Sequence, residues 1–296
     1  MTEHPTRMSR IWRLLLLVPV AAVFAPTLWH LMDAGRTNEY AGHAMFVPLF
    51  SVLAAWTDRD RLRAAAGRGH PAGLAILAAG LLLLGGWYTT RSEVLAGVAL
   101  AVAVAGAVLW LFGVRCLRAA AFPVAFLIMM APLPRPVIAA VTLQLQAFAA
   151  GFAASALRLV GIPVYQSGVY LELPAMTLQV AEVCNGLRFL LALIVLTAAF
   201  AEVMLPTRPR KVLLVASAVP IAILANAVRV AAIGVGVHYI GPEAASGTVH
   251  NLIGKGVWAI TLIPLLALGF WLSRTAPRRA AGDEPSALPV HRTGVA

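Results

Sequence analysis

The sequence predicts an all-α polytopic membrane protein with about eight transmembrane helices, an interfacial helix and a short extended segment on the outer face. Of the 296 residues, 60% are hydrophobic and only 12% are charged, about half the usual charged share of a soluble domain. The hydrophobic residues form runs of roughly 18 to 25 residues, which match the ~30 Å hydrocarbon thickness of a bilayer. This composition excludes an ordinary soluble enzyme and a disordered chain.

Eight apolar segments are the candidates for these helices. They are residues 11–32, 44–57, 71–89, 94–114, 117–132, 185–204, 212–236 and 250–272. The second segment is short and contains Pro48. We expect residues 11–272 to form a single transmembrane domain, with a cytoplasmic N-terminus of residues 1–10 and a flexible cytoplasmic tail of residues 273–296.

The distribution of Lys and Arg predicts the orientation, because cytoplasmic loops carry an excess of both residues. Sixteen of the 23 basic residues lie in the termini and in alternate loops, and only four lie in the intervening loops. The larger set is Arg7, Arg10, Arg13, Arg59, Arg61, Arg63, Arg68, Arg115, Arg118, Arg208, Arg210, Lys211, Arg274, Arg278, Arg279 and Arg292. The smaller set is Arg36, Arg91, Arg135 and Arg158. Both termini are therefore predicted to be cytoplasmic. The net charge of +11 is spread over short clusters between spans, which does not favour nucleic-acid binding.

The long connection between the fifth and sixth spans must begin and end on the outer side. Its first half, residues 137–159, carries Gln144 and Gln146 among apolar residues, which is typical of a helix that lies in the interface or enters it partway. Its second half, residues 164–183, alternates partly between apolar and polar residues. That pattern predicts an extended or hairpin stretch that leads directly to Cys184.

A cysteine with polar neighbours lies at the outer start of the sixth span. Cys184 stands between Glu182 and Asn185, and Arg188 follows one turn later. The partial positive charge of a helix N-terminus and the nearby guanidinium both stabilise a thiolate, so Cys184 is suited to act as a nucleophile. The alternative is a buried cysteine that serves only as a small apolar residue.

Three further polar residues are predicted at the same depth. Asn226 and Arg229 share a face of the seventh span, because they are three residues apart. His250 opens the eighth span and is a candidate general acid and base, with His238 as a competitor for that role. The alternatives are an arginine that caps its span by reaching the interface and a histidine that is a solvated cap.

A fourth polar group precedes the second span. Tyr40 and His43 are candidates for substrate contact, with a polar loop anchor as the alternative. Cys116 lies between basic residues on the cytoplasmic side, so we interpret it as structural. The sequence has no Cys/His pair at zinc spacing and no phosphate-binding Gly-Lys-Ser/Thr loop, so we predict neither a metal nor a cofactor.

Together these residues resemble the exosortase/archaeosortase family of membrane transpeptidases. The stretch 180–188 (VAEVCNGLR) resembles the family's Cys motif, 226–230 (NAVRV) its Arg motif and 250–254 (HNLIG) its His motif. Residues 40–48 are similar to its Tyr-Ser-His-Gly…Pro segment, and the likeness spans most of residues 40–260. Asn185 stands where the family usually has Ser, and Ala44 where it usually has Gly. These departures leave the subfamily and substrate open.

The resemblance implies a sortase-like cysteine transpeptidase or protease at the outer face of the bacterial cytoplasmic membrane. Cys184, Arg229 and His250 would be the catalytic residues, with Glu182, Asn185, Arg188, Asn226, Tyr40 and His43 in support. The implied partners are membrane-anchored exported proteins with a C-terminal signal of a Pro-Glu-Pro-type motif, a transmembrane helix and a basic tail. The family is often linked to exopolysaccharide production.

Two other classes of function fit the composition. A multi-span transporter or channel could use the intramembrane Arg and Asn to line a pathway, but the halves show no inverted repeat and the polar residues gather at one face instead of the midplane. A structural assembly protein predicts that function survives modification of its thiols by membrane-impermeant reagents.

Overall fold

The computed structural model describes residues 7–38, 40–180 and 186–275. Its helices, in chain order, are α1 (Arg7–Thr37), α2 (Val47–Thr57), α3 (Arg59–Ala65), α4 (Ala72–Thr90), α5 (Glu93–Ala119), α6 (Ala121–Phe126), α7 (Arg135–Leu159), α8 (Gly186–Met204), α9 (Arg208–Tyr239) and α10 (Gly247–Arg274). Short 3-10 turns cover Ala44–Phe46, Leu127–Met130 and Pro242–Ala245. The strands β1 (Tyr165–Ser167), β2 (Tyr170–Glu172) and β3 (Thr177–Gln179) lie between α7 and α8.

The predicted fold class is confirmed. In the described part of the chain, seven helices are long and apolar enough to cross a membrane: α1, α4, α5, α7, α8, α9 and α10. Two of the eight predicted spans, 44–57 and 117–132, correspond to the shorter apolar helices Ala44–Thr57 and Ala121–Met130. The predicted interfacial helix is α7, which is itself long and apolar enough to cross.

The C-terminal part of α5 contains a break at Gly113. Its φ of 82° and ψ of 178° interrupt the helix, and the chain then continues helically to Ala119. Residues at the start of the predicted fifth span therefore belong to the end of α5. Within that span, Leu127–Met130 form a 3-10 turn, whose rise of ~2.0 Å per residue lengthens a short segment.

Glycines let α4 and α5 approach closely. A Cβ placed on Gly80 would lie 2.9 Å from the backbone nitrogen of Ala103, and Gly73 and Gly106 are equally confined by the opposite helix. Small residues at such an interface allow extensive van der Waals contact, which is the main source of attraction between helices in lipid. This pair forms the core of one half of the bundle, together with buried residues of α1 and the segments 41–47 and 126–130.

The sheet confirms the extended hairpin segment that the sequence predicts. Its strand order is β1-β2-β3 and both pairings are antiparallel. Two-residue turns at 168–169 and 174–175 join the strands. Leu171 and Leu178 form a cross-strand pair and are fully buried, because they face a cluster formed by the C-terminal half of α7 and the last turns of α9.

α9 is the longest helix that the structure describes. Its 32 residues extend about 48 Å at 1.5 Å per residue, well beyond the ~30 Å of hydrocarbon. The first part packs against α8 through Leu214, Ala218 and Ala222. The last part, from Ala227 to Val237, packs against α7 and the sheet. Asn226 and Arg229 lie near the junction of these two regions.

Candidate active site

Two of the predicted site residues are in direct contact. Arg229 Nη2 lies 2.9 Å from His250 Nε2, although the residues are 21 positions apart and belong to different helices. The chain leaves α9 at Tyr239, makes the 3-10 turn at Pro242–Ala245 and enters α10 at Gly247. This tight reversal brings the first turn of α10 back alongside α9. The two side chains are half-buried.

The contact determines the protonation of His250. A guanidinium only donates hydrogen bonds, so Nε2 of the imidazole must accept from Arg229 and the ring proton must be on Nδ1. His250 Nδ1 and Arg229 Nε are both buried, and neither has a hydrogen-bond partner among the described residues. Two N–H donors are therefore available beside the pair. Unsatisfied buried donors are costly and are frequently found at functional sites.

Gly254 lies one turn after His250 and supports the guanidinium. A Cβ at position 254 would lie 3.2 Å from Arg229 Nη2 and 3.3 Å from Nε and Cζ. Because the space is this narrow, an alanine here would require the guanidinium to shift by a few tenths of an ångström. The glycine that follows the histidine by four residues in the sequence thus has a specific steric role.

The start of α8 packs onto the same face of α9. A Cβ at Gly186, the first residue of α8, would lie 2.8 Å from Nδ2 of Asn226. Asn226 is only 4% exposed, and it precedes Arg229 by three residues on one helix face. The sequence named both residues but did not predict this contact, for which it carries no signal beyond the presence of a glycine.

Part of the predicted site lies outside the described residues. Glu182, Cys184 and Asn185 belong to the segment 181–185, which the structure does not describe. Arg188 is described and is exposed in the first turn of α8. The prediction that Cys184 is the nucleophile therefore stays a prediction.

His238 does not contact the pair in the described structure. It is exposed near the end of α9, with its ring edge-on to Tyr239 at a centroid distance of 4.8 Å. It follows Arg229 by nine residues, which is about 13 Å along a helix. The histidine beside the arginine is His250.

Tyr40 and His43 line a different region, between the end of α1 and the start of α7. Tyr40 borders a polar cleft of about 810 Å³ that also includes Arg135 and Thr142. His43 Nε2 donates to the carbonyl oxygen of Met129 at 3.1 Å. Burial lowers the pKa of His43, and this hydrogen bond partly opposes the shift. Within the described residues, no hydrogen bond joins either side chain to Arg229 or His250.

Cys116 is buried near the C-terminal end of α5. Its Sγ lies 3.9 Å from the carbonyl oxygen of Leu62, and 6% of the residue is exposed. In the described ranges, no group of three or more His, Cys, Asp or Glu side chains is arranged to hold a metal ion.

Comparison with known proteins identifies one family. The family model described as transmembrane exosortase matches residues 34–268. The match includes the helices from the end of α1 into α10, and it contains Arg229, His250 and the undescribed segment with Cys184. Neither the curated proteins nor the solved structures yielded a match.

Proposed function

The chain belongs to the transmembrane exosortase family, and on this premise we propose that it is a sortase-like cysteine transpeptidase or protease. Its substrates would be exported proteins that carry a C-terminal sorting signal. The observation that carries the proposal is the 2.9 Å contact between Arg229 and His250. It supports a composite site that combines a cation and an acid-base group, beside a helix that begins two residues after a cysteine.

Covalent geometry keeps the proposed nucleophile close to this pair. Cys184 precedes Gly186 by two residues, so its Cα lies within about 7 Å of the Gly186 Cα. Gly186 packs on Asn226, one turn from Arg229. In the proposed reaction, the Cys184 thiolate attacks the scissile carbonyl carbon, the C–N bond breaks and the amine leaves. The resulting thioester is then cleaved by water, an amine or a lipid-linked group.

His250 would transfer the protons in this scheme. In the resting arrangement its Nε2 accepts from Arg229, so it is not free to act as a base. When substrate draws the guanidinium away, Nε2 takes the proton of the Cys184 thiol and later returns it to the leaving amine. The acceptor then delivers its own proton to the same nitrogen as it attacks the thioester, and that proton returns to the Cys184 sulfur when the C–S bond breaks.

Arg229 would stabilise the oxyanion of the tetrahedral intermediate. Its planar guanidinium presents several donors in fixed directions, and Nε has no partner among the described residues. Donors that are preorganised in this way commonly contribute 10²–10³-fold to rate. Asn226 would hold the start of α8 in position, and Glu182, Asn185 and Arg188 would complete the surroundings of the thiolate. Tyr40 and His43 would contact a more distant part of the substrate.

The charge distribution supports a location in the bacterial inner membrane with both termini in the cytoplasm. Sixteen basic residues lie on one side of the predicted spans and four on the other, which favours a site that faces the periplasm. The substrates in this proposal carry a Pro-Glu-Pro-type motif, a transmembrane helix and a basic tail. Exopolysaccharide-producing cells are the expected context.

The test is processing of such a substrate in cells that carry Cys184→Ala, Arg229→Ala or His250→Ala. Each variant should abolish cleavage or reduce it at least a hundredfold, while protein abundance stays unchanged. The chain supplies matched controls, namely Cys116→Ser for the thiol and His238→Ala for the imidazole. Normal cleavage by Cys184→Ala would refute the nucleophile.

The Arg229→Lys variant tests whether a positive charge at position 229 is sufficient or whether the planar guanidinium is also required. A lysine keeps the positive charge but lacks the planar fork and is a point donor. We expect this variant to retain at most a small fraction of wild-type processing. Full activity of Arg229→Lys would show that the cation acts only through its charge.

A further inference from the structure

We propose that the open edge of β3 binds the substrate segment that precedes the cleaved bond, as an added strand that runs parallel to β3. The identity of the peptide rests on the proposed function. The edge itself is defined by the backbone of Thr177 and Gln179. Strand addition of this kind obtains affinity from main-chain hydrogen bonds and specificity from alternate side chains.

The hydrogen-bonding pattern shows which backbone groups face the edge. Leu173 and Met176 exchange backbone hydrogen bonds of 2.9 and 3.2 Å, and the N–H of Val180 donates to the carbonyl of Val169 at 3.0 Å. In an antiparallel ladder such bonded pairs alternate with non-bonded pairs. The N–H and C=O groups of Thr177 and Gln179 therefore point away from β2.

The described chain does not use this edge. Among the described residues, neither Thr177 nor Gln179 makes a backbone hydrogen bond on the side opposite β2. Thr177 is exposed and Gln179 is half-buried, whereas Leu178 between them is buried. One side-chain face of β3 is thus buried against the protein, while the backbone groups at its edge have no hydrogen-bond partner among the described residues. Exposed edges of this kind readily pair with another chain.

The edge leads directly to the proposed site. Five residues separate Gln179 from Cys184, so the chain can span at most about 17 Å between them. A substrate segment of the same length reaches from the edge to the thiolate. β3 continues into α8, and a substrate of the proposed class likewise continues from its motif into a membrane helix. The two chains therefore run in the same direction, which is why we assign parallel pairing.

The opposite edge of the sheet provides a matched control. On β1, the backbone of Gln166 faces away from β2 by the same alternation, but β1 packs beside α7 and is separated from α8 by the rest of the sheet. A substitution that removes an outward N–H there should leave substrate binding unchanged.

The first experiment removes the outward N–H groups with proline. Proline at an edge position deletes a donor that the sheet itself does not use, so Thr177→Pro and Gln179→Pro should preserve the β2 ladder. We expect each to raise KM for a synthetic sorting-signal peptide about three- to tenfold, the effect of one lost hydrogen bond. Gln166→Pro, on the opposite edge of the sheet, should retain wild-type KM. Wild-type KM in both edge variants would overturn the docking but leave the proposed function intact.

The second experiment detects the added strand without catalysis. A Cys184→Ala, Cys116→Ser enzyme with Thr177→Cys is combined with substrates that each carry one cysteine upstream of the cleavage position. Because alternate residues of a strand face opposite sides, disulfide yield should peak at one position, remain detectable two residues away and vanish at the positions between. The same scan with Gln179→Cys should peak two residues closer to the cleaved bond. A flat yield, or a peak that moves in the reverse direction, overturns the parallel strand even where a proline variant fails to fold.

Discussion

Gly186→Ala directly tests how the start of α8 rests on α9. The added Cβ would lie 2.8 Å from Nδ2 and 3.0 Å from Cγ of Asn226, whereas ordinary contacts begin at 3.4 Å. The amide or the start of α8 must therefore move by about 0.6 Å. Since a displacement of 1 Å can cost about 10²-fold in rate, we expect processing to fall on the order of tenfold, or ~1.4 kcal/mol.

The change in protein stability should be moderate, because two opposing effects act on it. Overpacking commonly costs about 1–3 kcal/mol, but alanine is favoured over glycine in a helix by up to about 1 kcal/mol, and the two effects partly cancel. Gly256→Ala in α10 is the matched control, because a Cβ there meets nothing within 4 Å. It should leave both processing and the melting temperature near wild type.

A double-mutant cycle makes the steric explanation refutable. Asn226→Ala removes the three atoms nearest to the new Cβ, so Gly186→Ala should cost little further in that background. The assay is the initial rate of peptide cleavage by purified enzyme, with the melting temperature measured in parallel. If Gly186→Ala is fully active, or costs the same with and without the Asn226 side chain, then the contact does not position the site.

Three other predictions concern stability, each measured by thermal unfolding in detergent. Lys211→Met should destabilise the protein by about 1–3 kcal/mol, because it leaves Glu202, its partner at 2.7 Å and only 15% exposed, without a counter-charge; adding Glu202→Gln should restore part of the loss. Gly113→Ala should cost at least 1–3 kcal/mol, since φ is 82° and a Cβ would collide with the Arg68 carbonyl oxygen; a melting temperature equal to wild type would contradict this. Burial lowers the pKa of His43, so the unfolded chain binds the extra proton first and stability should decline as pH falls below about 6.5; His43→Gln should remove that component, and an unchanged pH profile would refute it.

The fold was predictable where one physical rule dominates. Long apolar runs must form helices in a bilayer, because every backbone polar group needs an internal partner. Most helix positions followed from this rule and from charged residues between the runs. An exception is the region around the end of α5, where the positive φ of Gly113 interrupts the helix and a further helical segment continues to Ala119. A lone glycine in a sequence does not reveal its φ.

The sequence predicted a common level for the site residues but not their contacts. Arg229 and His250 were expected at one level because they lie near adjoining ends of consecutive spans, and their 2.9 Å contact agrees with that expectation. The packing of Gly186 on Asn226 joins helices whose relative rotation no sequence pattern specifies. The open edge of β3 likewise depends on which residues direct their backbone N–H and C=O groups away from β2. A partial alternation of apolar and polar residues does not reveal this.

The length of α9 also relates the enzyme to the lipid around it. Arg229 follows Arg208 by 21 residues, so its Cα stands about 32 Å along the axis from the first residue of the helix. That height is close to the thickness of the hydrocarbon layer, which differs by several ångströms among biological membranes. In a thicker bilayer the guanidinium and imidazole would lie within the hydrocarbon core, and in a thinner one they would be exposed to water. Membrane thickness should therefore tune turnover without any change in the protein.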